Sequence, residues 1–150
     1  MTEPTLTTFD RVPDGPRGLV RDVRLRWALE DAELPYSVRS TPSKDRGPEH
    51  FRHQPFGQLP RLTDGEASMF ESGAMMLYLA ERSEVPMPTG PKGRGDVMSW
   101  VDQRNRLDPF PQCRGSVARA TARPAFAKAQ ADQLAHFAAA LGRFTINTLA

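Results

Sequence analysis

Residues 51–72 read FRHQPFGQLPRLTDGEASMFES, and the order of features in this stretch decides the fold. Leu59-Pro60 closes a loop where a strand begins. A proline there has no N–H to give to a ladder, so it marks an edge or a strand start. Asp64-Gly65 sits between Arg61-Leu62-Thr63 and the run Ala67 to Phe70, which is a strong hairpin signal. Glu71-Ser72 then opens a helix. The Ser72 hydroxyl can cap the helix's free N–H groups, and Glu71 is a favourable charge at that end. Met75, Met76 and Leu79 give this helix an inward stripe, and it should end near Arg82-Ser83.

Working back towards the N-terminus, Thr5 to Phe9 is a short β-prone run, followed by a Pro/Gly/Asp loop at Val12–Pro16. From Leu19 to Ala32 the pattern is helical, with Val20, Val23 and Trp27 in register and Leu25, Ala28 and Leu29 widening the apolar face. Asp22 and Arg26, four apart, are expected to pair on its surface. Leu34-Pro35 stops the helix, and Tyr36 to Arg39 alternates like a half-buried strand. A polar loop, Ser40 to Gly47, leads to a helical turn opened by Pro48. Strand–helix–strand followed by hairpin–helix makes an α/β unit over residues 1–83. Its expected core is a four-stranded mixed sheet with flanking helices, in the order of the thioredoxin-like fold.

Towards the C-terminus, residues 84–93 hold Pro86, Pro88 and Pro91 and read as a linker. Residues 94–150 read as a shortened all-α region. A helix from about Arg94 would carry Val97, Trp100 and Val101, before the polar run Asp102 to Asp108 and the helix-breaking Pro109-Phe110-Pro111. Pro124 opens a last helix with an apolar line of Phe126, Leu134, Phe137 and Leu141. With few helices to cover it, Trp27 and Leu29 are expected to face water, and the last helix to pack on the sheet unit or on a second copy of the chain.

The 150 residues are 39% hydrophobic and 25% charged, which suits a soluble domain with a core. Twenty basic and 18 acidic residues leave a net charge of +2, with no basic block on which nucleic-acid binding could rest. No apolar run approaches a membrane span, and the N-terminus lacks the features of a secretory signal. One cysteine, Cys113, excludes an internal disulfide and a CxxC dithiol centre, so a cytoplasmic location is expected. His50 and His53 are expected to be a surface pair. They share no metal spacing with His136 or Cys113.

The PFGQLP…DG…ES pattern resembles the tripeptide-binding segment of glutathione transferases. WALEDAELPY is similar to that family's first helix and second strand, ESGAMMLYLAER to its third helix, and SVARATARPAFAKA to its last helices. The resemblance implies a glutathione site. Leu59, before a cis Pro60, would offer its backbone to the cysteinyl part of the ligand, which suits an extended peptide. Gln58 would contact the ligand, Arg46 would meet the glycine carboxylate, and Ser72 with Glu71 would hold the γ-glutamyl end. The family's second helical domain would intervene between residues 93 and 115, where this chain offers a short polar stretch instead.

A transferase also needs a donor that stabilises the glutathione thiolate near the start of the first helix. Arg11 to Val23 reads RVPDGPRGLVRDV, with no Ser, Thr, Tyr or Cys. Arg17 and Arg21 are the donors on offer, and the catalytic residue is left unassigned. The leading reading is a glutathione S-transferase-like protein that binds glutathione as substrate, needs no cofactor and joins its thiol to a small electrophile. The alternatives are a non-catalytic member binding glutathione or a protein, and a truncated product. A homodimer is compatible with either.

Overall fold

The computed structural model describes residues 2–44, 46–83, 88–102 and 121–147. Four strands, β1 (Thr5–Phe9), β2 (Ser37–Thr41), β3 (Arg61–Asp64) and β4 (Ala67–Phe70), form one sheet in the order β2-β1-β3-β4. β1 runs parallel to β2 and antiparallel to β3, which pairs antiparallel with β4. The helices are α1 (Asp22–Asp31), α2 (Pro48–His53), α3 (Ser72–Arg82), α4 (Pro91–Asp102) and α5 (Pro124–Asn147). The expected α/β, thioredoxin-like sheet with flanking helices is present.

The period of two along the strands sorts residues between the sheet's faces. Val38, Leu6, Leu62 and Met69 are register partners across the four strands and point to one side. There Leu6 and Leu62 meet Leu25 and Leu29 of α1 and Met75 and Leu79 of α3, all essentially without solvent contact. The Gly65-Glu66 dipeptide, one residue later than Asp64-Gly65, forms the hairpin loop, because Asp64 pairs with Ala67. Gly65 takes the left-handed φ of 57° that this turn requires. Asp64 accepts from Thr2 Oγ1 and Tyr78 Oη, each at 2.7 Å, and pairs with Arg82.

Several expectations are corrected. Helix α1 starts at Asp22, three residues after Leu19, because residues 14–21 fold as consecutive turns around Gly18. β2 lies at the sheet edge and is exposed over most of its length, with Val38 37% exposed, rather than half-buried. α4 starts at Pro91, ahead of Arg94 and inside the expected linker, with proline in its favoured first-turn position. The side chains of Val97, Trp100, Val101 and Leu141, the stretch 103–120 with Cys113, and residues 84–87 of the linker lie outside what is described.

The largest correction is to the exposure expected for Trp27 and Leu29, while α5 takes the first of its two expected places, on the sheet unit. This helix packs along α1 within the same chain, so Leu29 is fully buried and Trp27 meets Phe126 edge-on, with ring centroids 5.4 Å apart. Its buried line is Ala129, Gln133 and Phe137, while Leu134 is 44% exposed. A glutamine can occupy that line because its amide nitrogen finds partners: Gln133 Nε2 donates to Val20 O at 3.1 Å and to the Asp22 carboxylate. The Asp22–Arg26 pair therefore sits beneath α5 rather than on the surface, 2.9 Å apart with side chains 0% and 3% exposed. Burial pushes the Asp22 carboxyl above the ordinary carboxylate range, against the opposing pull of Arg26.

Candidate functional site

A narrow cleft opens where the β3 loop meets the start of α3. Gln58, Leu59, Pro60, Glu71 and Ser72 line it, together with Gln54 and Arg21. It holds about 10 Å³, space for roughly one water, so a ligand must lie across its mouth rather than inside it. A wider groove of about 550 Å³ continues from it past Gln58 and Leu59. Arg46 and Gly57 flank that groove on one side, and Val12, Pro13, Leu19 and Val20 on the other. Arg21 borders both spaces.

Local chemistry builds the first wall. The Leu59–Pro60 peptide is cis, which turns the chain into β3. The buried side chain of Gln54 accepts the Gln58 N–H at 2.9 Å and holds the loop against α2. Gly57 has φ 65°, and a Cβ there would meet the Phe51 ring at 3.1 Å and the Arg46 guanidinium at 3.2 Å. Glycine thus lets Arg46 come close to the loop. Arg46 lies over the Phe9 ring, 5.2 Å from its centroid, and donates to Ser43 O at 3.0 Å.

Glu71 stands just before α3 with φ 70° and ψ 113°, a conformation rare for a residue with a side chain. Such strain gathers at functional sites. Ser72 is the first helical residue and not the cap, and no side chain caps α3. Its hydroxyl instead accepts a hydrogen bond from Arg24 Nη1 of α1 at 3.4 Å. The opening N–H groups of a helix have no partner within it. The cleft therefore carries donors and a positive helix end, suited to a carboxylate.

The two arginines proposed for the thiolate separate clearly. Arg21 reaches the groove. Arg17 is tied into its own loop, with an ion pair to Asp14 at 2.6 Å and a bond to Val12 O at 3.3 Å, and does not line either space. Within Arg11–Val23 the groove meets apolar side chains and Arg21, with no hydroxyl or thiol. The buried Thr7 and Thr8 of β1 do not line either space.

Sequence reasoning missed Gln54 and Arg24. Gln54 stands beside the quoted PFGQLP run, but nothing in its identity marks it as buried; the Arg24–Ser72 contact joins residues 48 apart. The histidines are corrected as well. His50 is buried against Phe51, and its imidazole is held below the usual histidine range by burial, with Arg46 and Arg61 adding to the effect. His53 bonds Glu49 at 2.9 Å and Ser68 at 3.2 Å. No metal-binding cluster occurs among the described residues. No described helix is long and apolar enough to cross a membrane.

A larger groove of about 730 Å³ lies elsewhere, between α1, β2 and α5, bordered by Glu3, Glu30, Glu33, Tyr36, Lys128 and Asp132. It contains none of the candidate ligand-binding residues Arg46, Gln58, Leu59, Pro60, Glu71 and Ser72.

The part of the chain that holds the first site is similar to known proteins. Residues 15–81 match the family model described as the N-terminal domain of glutathione S-transferase. Glutathione S-transferase F10 of Arabidopsis thaliana is 44% identical over 63 residues, covering 39% of this chain and 29% of that protein. Disulfide-bond oxidoreductase YfcG of Escherichia coli (strain K12) is 34% identical over 83 residues, covering 49% of this chain and 39% of that protein. The chain thus spans well under half the length of these curated relatives. Among solved structures, a theta-class glutathione S-transferase from Xanthomonas axonopodis pv. citri, with glutathione bound, superposes with a TM-score of 0.55 at 23% identity. That match covers 95% of this chain and 65% of the other. Poplar glutathione transferase F1 gives 0.56 at 21% identity, covering 90% and 65%.

Proposed function

Because residues 15–81 match the model of the glutathione S-transferase N-terminal domain, we propose that this chain is a member of that family and binds glutathione along the cleft and groove. One observation carries the reading: Gln58, Leu59, Pro60, Glu71 and Ser72 border one cleft, with Arg21 at its rim. The γ-glutamyl carboxylate would lie against Ser72 and the start of α3, with Glu71 answering the ammonium. The cysteinyl unit would pair with the Leu59 backbone as a short added strand. The glycine carboxylate would meet Arg46 across the groove. Glutathione is then substrate, and no cofactor takes part.

For conjugation, the thiol must ionise; its sulfur then forms a bond to an electrophilic carbon as the leaving group departs with its electron pair. Arg21 would supply the positive charge favouring the thiolate, and the apolar wall of Val12, Pro13, Leu19 and Val20 suits an apolar electrophile. The absence of a hydroxyl or thiol from Arg11 to Val23 supports a second reading, a non-catalytic glutathione-binding member. A cytoplasmic location and a homodimer accord with both readings. Calorimetry with glutathione, followed by turnover of a general aryl halide, tests them in order. Saturable binding with conjugation supports the transferase; saturable binding without it supports the second reading. Absence of binding removes both.

A further inference from the structure

Three side chains of α5 bond to the backbone of the segment that forms the groove's second wall. Gln130 Nε2 donates to Gly18 O at 3.4 Å, and Gln133 Nε2 to Val20 O at 3.1 Å. His136 Nε2 lies 2.9 Å from Phe9 O, which can only accept, so that nitrogen carries the hydrogen. The three contacts span 112, 113 and 127 residues of sequence. Their acceptors bracket the residues that line the groove, from Phe9 through Val12 and Leu19 to Val20. Gln133 also bonds Asp22, at the start of α1 and next to Arg21. The segment's start is tied to the sheet edge, with Asp10 N donating to Thr41 O at 2.8 Å and Asp10 Oδ1 accepting from Ser43 N at 3.1 Å, and beyond it bonds such as Arg17 N to Asp14 O and Leu19 N to Pro16 O are short-range turns. Such turns shape a loop without fixing it to the body.

We infer that Gln130, Gln133 and His136 are positioning residues for the glutathione groove. Through them α5, none of whose described side chains lines either the cleft or the groove, helps to hold residues 9–21 in binding geometry. This inference rests on the glutathione reading for its functional meaning. The physical argument is preorganisation. A loop that must be ordered on binding lowers affinity by the cost of ordering it, and a loop already held does not. The spacing fits one broad helix face, since successive positions three apart along α5 differ by about 60° around its axis. Polar side chains that could have faced solvent are instead spent on backbone carbonyls of a single segment.

The test compares Gln130→Ala/His136→Ala with Phe126→Ala in the full chain. Phe126 holds α5 against Trp27, away from the loop, so its loss weakens docking without touching the three contacts. Two readouts are taken well below the unfolding temperature: glutathione affinity by calorimetry, and amide exchange across residues 11–20. The double variant should bind about tenfold more weakly and exchange faster in the loop, whereas Phe126→Ala should lower stability and leave both readouts near wild type. His136→Gln, which keeps a side-chain donor, should recover much of the loss. Equal affinity losses in both variants, or loop exchange unchanged in the double variant, would overturn the inference. If wild type binds no glutathione, the binding reading fails by itself, and the exchange comparison still decides whether α5 holds the loop.

Discussion

The two walls of the groove are built in opposite ways. The wall from Gln54 to Ser72 is local: a loop, a hairpin and a helix start, joined by contacts such as Gln54 to Gln58 that lie a few residues apart. The wall from Phe9 to Arg21 leaves β1 with Asp10 N bonded to Thr41 O, continues as a run of turns, and takes further fixed points from α5, more than a hundred residues away. The first wall carries the groups suited to a tripeptide's backbone and carboxylate. The second carries apolar surface and Arg21, where a thiolate and its acceptor would meet. On the transferase reading, binding and chemistry would therefore depend on different scales of structure.

Breaking the distant scale should have the largest effect. Phe137 is fully buried where α5 meets the rest of the fold, so Phe137→Ala should lower stability by about 3–5 kcal/mol in denaturant unfolding. A loss under about 1 kcal/mol would mean that α5 is only loosely docked and the second wall lacks its anchor. The local wall is tested next. Ser72→Ala should weaken glutathione binding by about 1–3 kcal/mol, the range for losing a hydrogen bond to a charged group, with little change in unfolding. Unchanged calorimetric affinity would remove Ser72 from the site.

Arg21 and Arg17 sharpen the contrast within the second wall. The thiol of bound glutathione should ionise at lower pH than the free thiol, and Arg21→Ala should move it back by about one pH unit. Arg17→Ala should leave it in place, because Arg17 is committed to Asp14 and Val12. Thiolate absorbance of the complexes reads this directly; identical curves for Arg21→Ala and wild type would leave the non-catalytic reading.

The smallest effect concerns His50, buried beside the local wall with its pKa lowered by burial and by Arg46 and Arg61. The unfolded chain takes up a proton at the ordinary histidine value, before the folded protein does. Its contribution to stability is therefore present above that value and lost as pH falls through the lowered one. Unfolding followed from neutral to mildly acidic pH should show this decline in wild type and a shallower one in His50→Leu. Parallel slopes would assign the decline to other groups.

This division explains what the sequence revealed. The mixed four-stranded sheet and the segment from Gln58 to Ser72 were readable because their signals are local: a proline at a strand start, a turn dipeptide, a helix opening. Periodicity failed where polar residues found partners across the fold. Asp22–Arg26 looked like a surface pair because i, i+4 spacing says nothing of what covers it, and what covers it is Gln133 of α5. Leu134 looked like core, and the structure exposes it while burying Gln133, whose amide reaches the Val20 carbonyl. Composition could not foresee that a polar residue would take the central place in the buried line. The same blindness hid Gln54, Arg24 and the burial of His50.

The most direct measurement is calorimetric titration of the full chain with reduced glutathione, repeated with Ser72→Ala. The account predicts saturable binding to one site per chain in wild type, weakened in the variant while the fold stays intact. Heats indistinguishable from dilution up to on the order of 10 mM glutathione, where even millimolar affinity would register, would contradict it.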